Sequence, residues 1–179
     1  MMKKKTLIFI SALLLTGLVS GQSTYDLLLK AKVLTGAGKP RQVIELLSEA
    51  SGIQNNSRLL TARAEAKLQV GDYTGAIVDF SSANKITQYS GEYGLARIYA
   101  LKGDAPTSLY HLGISMRSTF RKRESEILLE PAFARLENKP EWRLFWKKEW
   151  YSVPEKKVSE IEYYVKSGNT GDAQNMLQE

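Results

Sequence analysis

The sequence predicts an all-α fold, an α-solenoid of antiparallel helix pairs, and three observations support this prediction. First, glycine-containing turns separate helix-like stretches at Gly38-Lys39-Pro40, Gly71-Asp72-Tyr73, Gly103-Asp104-Ala105 and Gly168-Asn169-Thr170. Second, the first three glycines lie 33 and 32 residues apart, and the fourth follows 65 residues later, close to two further periods. Third, the stretches around these turns have the apolar spacing of amphipathic helices.

The residues of these turns explain why one helix ends and the next begins. A helix that ends in a left-handed residue favours glycine, because glycine has no Cβ to clash in that conformation. The side chains of Asp72, Asp104 and Asn169 are predicted to cap the following helices by accepting hydrogen bonds from free backbone amides. Pro40 suits the first turn of a helix, where its missing N–H is not needed.

One unit, residues 57–90, shows the repeating pattern most completely. It has small residues at its helix contacts and one large residue between them, at Ala64, Ala76, Phe80 and Ala83. Three other units follow the same register, at 24–57, at 89–122 and from Pro154 onward. Small residues let paired helices approach closely, and large residues fill the space between adjacent pairs.

The period and these landmarks resemble the tetratricopeptide repeat (TPR), a helix-turn-helix unit of about 34 residues. The resemblance implies a right-handed superhelix whose first helices line a concave face. Four residues depart from the family pattern. Lys30 and Arg63 stand where an apolar residue is preferred, Lys67 where an aromatic one is usual, and Val43 at a small-residue position. A generic helical bundle is the alternative.

These features divide the chain into four segments. Residues 1–21 are predicted to be a signal peptide, and 22–122 three TPR-like repeats. Residues 123–153 are predicted to form a degenerate, irregular helical block, and 154–179 part of a further repeat. Because the last unit ends before its final small position, we expect the chain to belong to a longer protein or complex.

The N-terminal segment has the three parts of a secretory signal. Lys3, Lys4 and Lys5 precede an uncharged apolar run over 7–19, and small residues lead up to Gly21. This run of 13 residues is shorter than the about 20 residues that a spanning helix needs. We therefore expect cleavage after Gly21, a periplasmic or secreted protein, and no stable membrane span afterwards. A retained membrane anchor is the alternative.

Charge and composition narrow the function classes. Removal of the three leader lysines leaves 22 basic against 19 acidic residues, a net charge of about +3, which is too small to indicate nucleic-acid binding. The chain has no cysteine, which excludes disulfides, thiolate metal sites and a cysteine nucleophile. His111 is its single histidine, and we expect it to lie at the surface or to be partly packed, and not to act as a catalytic base. No metal, no cofactor and no enzymatic activity are expected.

The block 123–153 is predicted to contain three short helices, at Glu124–Glu130, from Pro131, and from Pro140 to about Trp150. All three tryptophans lie here, on one helical stripe with Phe145: Trp142, Trp146 and Trp150. Packing of this stripe against the repeats is the first interpretation. An alternative interface formed by the three tryptophans is the second, because tryptophan is enriched at binding hot spots.

Two charged clusters are interpreted as structural. The cations Arg117, Arg121, Lys122 and Arg123 are expected to end a helix, where positive charge stabilises the negative end of the helix dipole. The acids Glu124, Glu126 and Glu130 are expected to form a solvated face that pairs with those cations.

The concave face is the predicted binding surface. Its partner-binding candidates are the outward residues of the first helices: Tyr25, Lys32, Arg58, Glu65, Gln69, Tyr93 and Arg97. Aromatic, cationic and polar groups of this kind suit an extended peptide or a partner helix. We expect these side chains to project freely and to carry little of the core.

The sequence therefore predicts a non-enzymatic scaffold of the bacterial cell envelope that binds a protein or peptide partner on its concave face. A regulatory or oligomerising N-terminal arm of a larger exported protein is the alternative. The remaining alternative is an enzyme or small-ligand binder that uses the block 123–153.

Overall fold

The computed structural model describes residues 23–177, and this range is all-helical, without β-strands. Its ten α-helices, α1–α10, span Thr24–Gly36, Pro40–Ser48, Ser57–Gln69, Tyr73–Ile86, Glu92–Leu101, Ala105–Met116, Glu124–Leu128, Pro140–Trp146, Val153–Lys166 and Thr170–Met176. Short 3-10 helices occupy Ile53–Asn55 and Pro131–Phe133. The predicted signal peptide, 1–21, lies outside the described residues.

Each of the four predicted turns contains a glycine in the left-handed conformation. The φ angles are +68° at Gly38, +81° at Gly71, +80° at Gly103 and +84° at Gly168. A side chain at these positions would strain the backbone, which explains why the sequence repeats glycine there. The predicted helix ends are therefore confirmed at all four turns.

The predicted caps are confirmed at two of three positions. The carboxylate of Asp72 accepts a hydrogen bond from the Gly75 amide at 2.9 Å, and Asp104 caps α6 in the same way. Asn169 does not cap α10, so that prediction is wrong. Its side-chain amide instead donates to the carboxylate of Asp172 at 2.7 Å.

The block 123–153 contains less helix than the sequence predicts. The first helix ends at Leu128, and the segment from Pro131 makes only one 3-10 turn. The third helix ends at Trp146 instead of about Trp150. The indole N–H of Trp150 donates to the carbonyl of Phe145 at 2.8 Å, so a side chain satisfies the acceptor that a longer helix would have used.

The core consists of three groups of buried side chains. The first joins α1, α2, α3 and the 3-10 turn after α2 with Ala83 of α4, and the second joins α3, α4 and α5. The third joins α5 and α6 with the block 123–153, including Leu112, Phe133, Trp142 and Tyr151. From α1 to α6 each helix packs against the next, and α1 also contacts α3, as α3 contacts α5.

The contact between α4 and α5 is especially close at Phe80. A Cβ at Gly94 would lie 2.2 Å from the Phe80 ring, and one at Gly91 would lie 2.3 Å from the Phe80 carbonyl oxygen. Only glycine fits at such distances, so these two residues let the phenyl ring fill the space between the helices.

Candidate interaction groove

The structure brings three of the seven predicted partner-binding residues together. Glu65 on α3 and Arg97 on α5 form an ion pair at 2.7 Å, and Tyr93 lies one helical turn before Arg97. The other four candidates are exposed and do not line the cavities around this cluster: Tyr25, Lys32, Arg58 and Gln69. The candidate site is therefore smaller than the sequence predicts.

Arg97 is the centre of the cluster. One of its terminal nitrogens contacts Glu65, and its Nε lies 3.0 Å from a carboxylate oxygen of Glu130 in the block 123–153. Burial alone would lower the pKa of Arg97, but the two carboxylates outweigh that effect and raise it. The guanidinium thus joins α3, α5 and the block through permanent charge.

The Glu65–Arg97 pair follows from the repeat. The two residues are 32 apart and hold the same place in successive units, a place that Lys32 takes in the first unit. Charges of opposite sign at equivalent places of adjacent first helices predict such a pair, so this signal was present in the sequence. The contact of Arg97 with Glu130 has no comparable local signal.

Tyr93 forms the aromatic surface beside this pair. Its ring packs edge-to-face on Phe133, with centroids 6.0 Å apart. The guanidinium carbon of Arg97 lies 5.8 Å and the Nζ of Lys122 lies 5.6 Å from its centroid, within cation–π range. Burial and the charge of Glu130 raise the pKa of the Tyr93 phenol, which stays neutral.

The expectation that Tyr93 and Arg97 project freely is therefore wrong. Both side chains are half-buried, Tyr93 packs against the core, and Arg97 holds two carboxylates. Arg97 can bind a partner's carboxylate only by exchanging one that it already holds. Lys122 is more available, since its side chain is 44% exposed and its contact with Glu126 is long, at 3.8 Å.

Two open cavities meet at this cluster. One, of about 410 Å³, extends from Thr61 and Ser90 toward the loop after α6, and the other, of about 380 Å³, extends toward Lys166 on α9. Both are lined by the same four residues: Glu65, Tyr93, Lys122 and Glu126. We call this continuous surface the Tyr93 groove.

A second ionic cluster lies inside the α3–α4 pair and was not predicted. The carboxylate of Asp79, 2% exposed, accepts two hydrogen bonds from Arg63 at 2.7 Å and contacts the Nζ of Lys67 at 2.8 Å. Burial alone would raise the pKa of Asp79, but Arg63 and Lys67 outweigh burial and lower it. Arg63 and Lys67 are two of the residues that depart from the TPR pattern, and Asp79 compensates for both.

The basic cluster matches the prediction at Arg117, which follows the last residue of α6, but not at its other three cations. Helix α6 ends at Met116, so Arg121, Lys122 and Arg123 lie in the loop that follows it. Arg121 binds the carboxylate of Glu155, and Arg123 binds Glu162, so the loop is tied to α9. Arg121 and Arg123 therefore hold two parts of the chain together and lie beyond the end of the α6 dipole.

The three acids after the cluster also separate. Glu126 contacts Lys122 and Arg123 as predicted, whereas Glu130 turns to Arg97. Burial raises the pKa of Glu124, and nearby Lys156 reduces that effect. The three carboxylates therefore do not form the single solvated face that the sequence predicts.

His111 is half-buried, as predicted. Its Nδ1 lies 2.7 Å from a carboxylate oxygen of Glu92, and its ring stacks on Tyr99 with centroids 5.5 Å apart. The other oxygen of Glu92 accepts a hydrogen bond from the side chain of Asn84 at 2.8 Å. The histidine thus joins α6 to α5 and α4, and its described contacts include no hydroxyl nucleophile.

The tryptophans are packed to different degrees. Trp142 is buried in the third core group, so it cannot contact a partner without repacking of its neighbours. Trp146 and Trp150 are half-buried and pack on Phe145, at centroid distances of 5.5 and 4.8 Å. The stripe is thus turned mainly toward the core, and it offers little surface to a partner.

Within residues 23–177, no group of three histidine, aspartate or glutamate side chains is placed to hold a metal ion. The same range contains no helix that is both long and apolar enough to cross a membrane. Chemically, the Tyr93 groove offers an aromatic surface, an available ammonium group and ion-paired carboxylates. These groups can bind, but they do not form a nucleophile–base pair.

Neither protein-family models nor curated protein sequences give a relative of this chain. No protein-family model matches it. No curated protein matches it significantly in sequence. A function for the chain is therefore inferred from the residues and geometry described above.

Proposed function

We propose that the chain is a non-enzymatic interaction module, a TPR-like solenoid of helix pairs that binds a peptide or partner helix in the Tyr93 groove. We further propose that it acts in the bacterial cell envelope after loss of the signal peptide. The localisation rests on the basic, apolar and small-residue pattern of 1–21.

The solenoid proposal is supported by the regular turns and by the helix contacts. Four left-handed glycines recur at the predicted period, and first helices of successive units contact each other, α1 with α3 and α3 with α5. Contacts between neighbouring units are what a repeat array uses to build a continuous core. Small-angle X-ray scattering tests this proposal, since an array gives a more extended particle than a bundle of equal mass.

The observation that carries the functional proposal is the fixed position of Tyr93. Phe133 supports one side of its ring, and cations lie within 6 Å of its centroid. An aromatic side chain already held in place loses little conformational freedom when a partner binds, so more of the contact energy appears as affinity. Exposed binding surfaces that use this effect are typical of interaction modules.

The charges of the groove indicate the chemistry of the partner. Lys122 lies beside Tyr93 and its one ion pair is long, so a partner that offers an apolar side chain and a carboxylate fits both residues. The carboxylate replaces the long contact between Lys122 and Glu126. An extended acidic segment, or the face of a helix with the same two groups, meets this requirement.

A peptide selection tests the proposal. Random dodecamer peptides displayed on phage are selected against the chain, and fluorescence anisotropy then measures the affinity of each selected peptide. We expect acidic, apolar-containing sequences, with binding at least about tenfold weaker in Lys122→Ala, a loss typical of one charge-assisted contact. The matched control is Lys85→Ala, which removes an exposed lysine on α4 outside the groove.

Two results contradict the proposal. One is a selection that enriches no peptide. The other is a set of peptides whose binding is lost in Lys85→Ala to the same degree as in Lys122→Ala, because the groove would then have no special role. Circular dichroism is used to check that both variants retain their helices.

A further inference from the structure

Helices α9 and α10 form a hairpin that lies outside the core of the chain. None of its residues, 153–176, belongs to the three groups of buried side chains, and only Ser159 and Ala173 are buried. Outside the hairpin α9 packs mainly on α7, and α10 packs mainly on α9. Burial of apolar surface therefore contributes little to holding the hairpin in place.

The contact between the hairpin and the rest of the chain is also poorly filled. One cleft of about 330 Å³ lies between α9 and the loop after α6, and another of about 350 Å³ lies between α9 and α7. Ser159 lines both clefts. Elements that pack at the density of a protein interior leave no such gaps between them, so other contacts must hold α9 against the block.

Two carboxylates of α9 supply these contacts. Glu155 pairs with Arg121, and Glu162 pairs with Arg123. The second oxygen of Glu162 accepts a hydrogen bond from the hydroxyl of Ser125 at 2.8 Å. The four paired side chains are between 24% and 55% exposed, and ion pairs that water reaches are weak and sensitive to salt.

The chain enters the hairpin from a fixed point, and the far end of α9 reaches the Tyr93 groove. Tyr151 belongs to the third core group, and its hydroxyl donates to the carbonyl of Lys122 at 2.5 Å. Helix α9 begins two residues later and ends at Lys166, which lines the 380 Å³ cavity together with Tyr93. Rotation of the hairpin about Ser152 would therefore move one wall of the groove.

We infer that the α9–α10 hairpin is a detachable lid of the Tyr93 groove, held in place by the ion pairs of Glu155 and Glu162. In the docked position Lys166 supplies a second cation, besides Lys122, to a partner that carries two carboxylates. Within residues 23–177 Lys166 forms no ion pair, so it is available to such a partner.

Binding and docking of the lid should favour each other. A partner that contacts Lys166 binds the docked state more tightly than the released state, so it shifts the hairpin toward the docked state. This coupling is reciprocal, and a chain whose hairpin is released should bind the partner less tightly. The effect on binding rests on the proposed function, whereas the release of the hairpin does not.

Hydrogen exchange measured by mass spectrometry tests the release without a partner. A rise in NaCl from about 0.1 to about 1 M shortens the range of charge interactions from about 10 to about 3 Å. We expect the amides of α9 and α10 to exchange on the order of tenfold faster at the higher salt, because short helices released from their contacts are marginal in water. The amides of α3 and α5 are the internal reference.

A double variant removes the two charges of the lid and keeps their hydrogen bonds. In Glu155→Gln, Glu162→Gln an amide oxygen can still accept the hydrogen bond that each carboxylate now accepts from a serine. Exchange in α9 and α10 should be about tenfold faster at low salt and should no longer respond to NaCl. The control, Glu149→Gln, Glu160→Gln, makes the same change in net charge at exposed acids without ion pairs in the described range.

Peptide affinity tests whether the lid takes part in recognition. For a selected peptide with two or more carboxylates, Lys166→Ala should weaken binding about three- to fivefold, a loss typical of one exposed ion pair. Its hydrogen exchange should match that of the wild type, since Lys166 does not hold the hairpin. In the background of Glu155→Gln, Glu162→Gln the same substitution should have no further effect, because Lys166 has already left the groove.

The two sets of measurements separate the lid from the proposed function. Salt-independent exchange of α9, or equal exchange in the two double variants, would overturn the lid. Losses from Lys166→Ala and from Glu155→Gln, Glu162→Gln that simply add would overturn its part in binding, as would peptides that depend on Lys122 and not on Lys166. A selection that enriches no peptide would contradict the proposed function, and hydrogen exchange alone would then decide for or against the lid.

Discussion

Replacing Asp79 with alanine removes the acid of the buried ionic cluster and leaves Arg63 and Lys67 without their partner. Loss of one member of a buried ion pair costs about 3–5 kcal/mol of unfolding free energy, because the remaining charge is desolvated and uncompensated. The side chains of Arg63 and Lys67 keep 17% and 16% exposure, so they can turn toward water. We therefore expect the lower end, about 3 kcal/mol.

The assay is unfolding by urea and by heat. A domain of this size changes its Tm by about 2–4 °C for each kcal/mol, so about 3 kcal/mol lowers the Tm by about 6–12 °C. The control is Glu160→Ala, which removes an exposed acid from α9. Hydrogen exchange should show the loss of protection first in α3 and α4, which share the cluster.

Two further measurements make the prediction specific. The triple variant Arg63→Met, Lys67→Met, Asp79→Leu should have a free energy of unfolding within about 1–2 kcal/mol of the wild-type value, because apolar packing can replace a buried ionic cluster. The pKa of Asp79 is lower in the folded chain than in the unfolded chain. The ionised carboxylate therefore stabilises the folded chain above the unfolded-state pKa, and this stabilisation is lost as the pH falls through the folded-state pKa.

The cost of Asp79→Ala should therefore shrink when the pH is lowered from 7 into the range below the usual aspartate pKa, about 3.9. A free energy of unfolding for Asp79→Ala within about 1 kcal/mol of the wild-type value at neutral pH would refute this prediction, since an uncompensated buried charge destabilises the fold by more than that. An unchanged cost at acid pH would show that lost packing, and not charge, is responsible.

Three other changes test separate parts of the molecule. Gly94→Ala should lower the free energy of unfolding in urea by about 1–3 kcal/mol, because the new methyl group overlaps the ring of Phe80. In the control Gly171→Ala the methyl group meets open space, and no loss of stability is expected. Tyr151→Phe removes a 2.5 Å hydrogen bond to a backbone carbonyl before α7 and should cost about 1 kcal/mol in the same assay. The intact mass of the exported chain should correspond to cleavage after Gly21, and a full-length chain in the membrane fraction would contradict that.

Most of what the sequence predicted correctly depends on local chemistry. A left-handed helix end requires glycine, and a free amide in a first turn requires an acceptor, so Gly71 and Asp72 identify a turn without knowledge of the rest of the fold. The same reasoning failed at Asn169, because its amide group found a nearer partner in Asp172. An asparagine side chain can donate as well as accept, and its direction depends on its neighbours.

The side-chain clusters could be predicted only in part. The pairing of Glu65 with Arg97 follows from the repeat period, but the contact with Glu130 depends on how the block 123–153 folds back on α5. Arg63 and Lys67 were identified as departures from the repeat pattern, yet their partner lies on the next helix. A charged residue at a core position implies a compensating charge, and the fold must show which residue supplies it.

The Asp79 cluster also bears on how the chain chooses between similar helices as it folds. Repeats of one pattern can exchange partners, because every second helix offers a similar apolar face to every first helix. The residues equivalent to Asp79 in the neighbouring units are Leu46 and His111, and neither supplies a carboxylate for Arg63. If α2 or α6 replaced α4 on the face of α3 that α4 covers, Arg63 and Lys67 would be buried there without an acid. The buried charges therefore favour the pairing of neighbours in the sequence over exchange between units, a selectivity that an all-apolar core would lack.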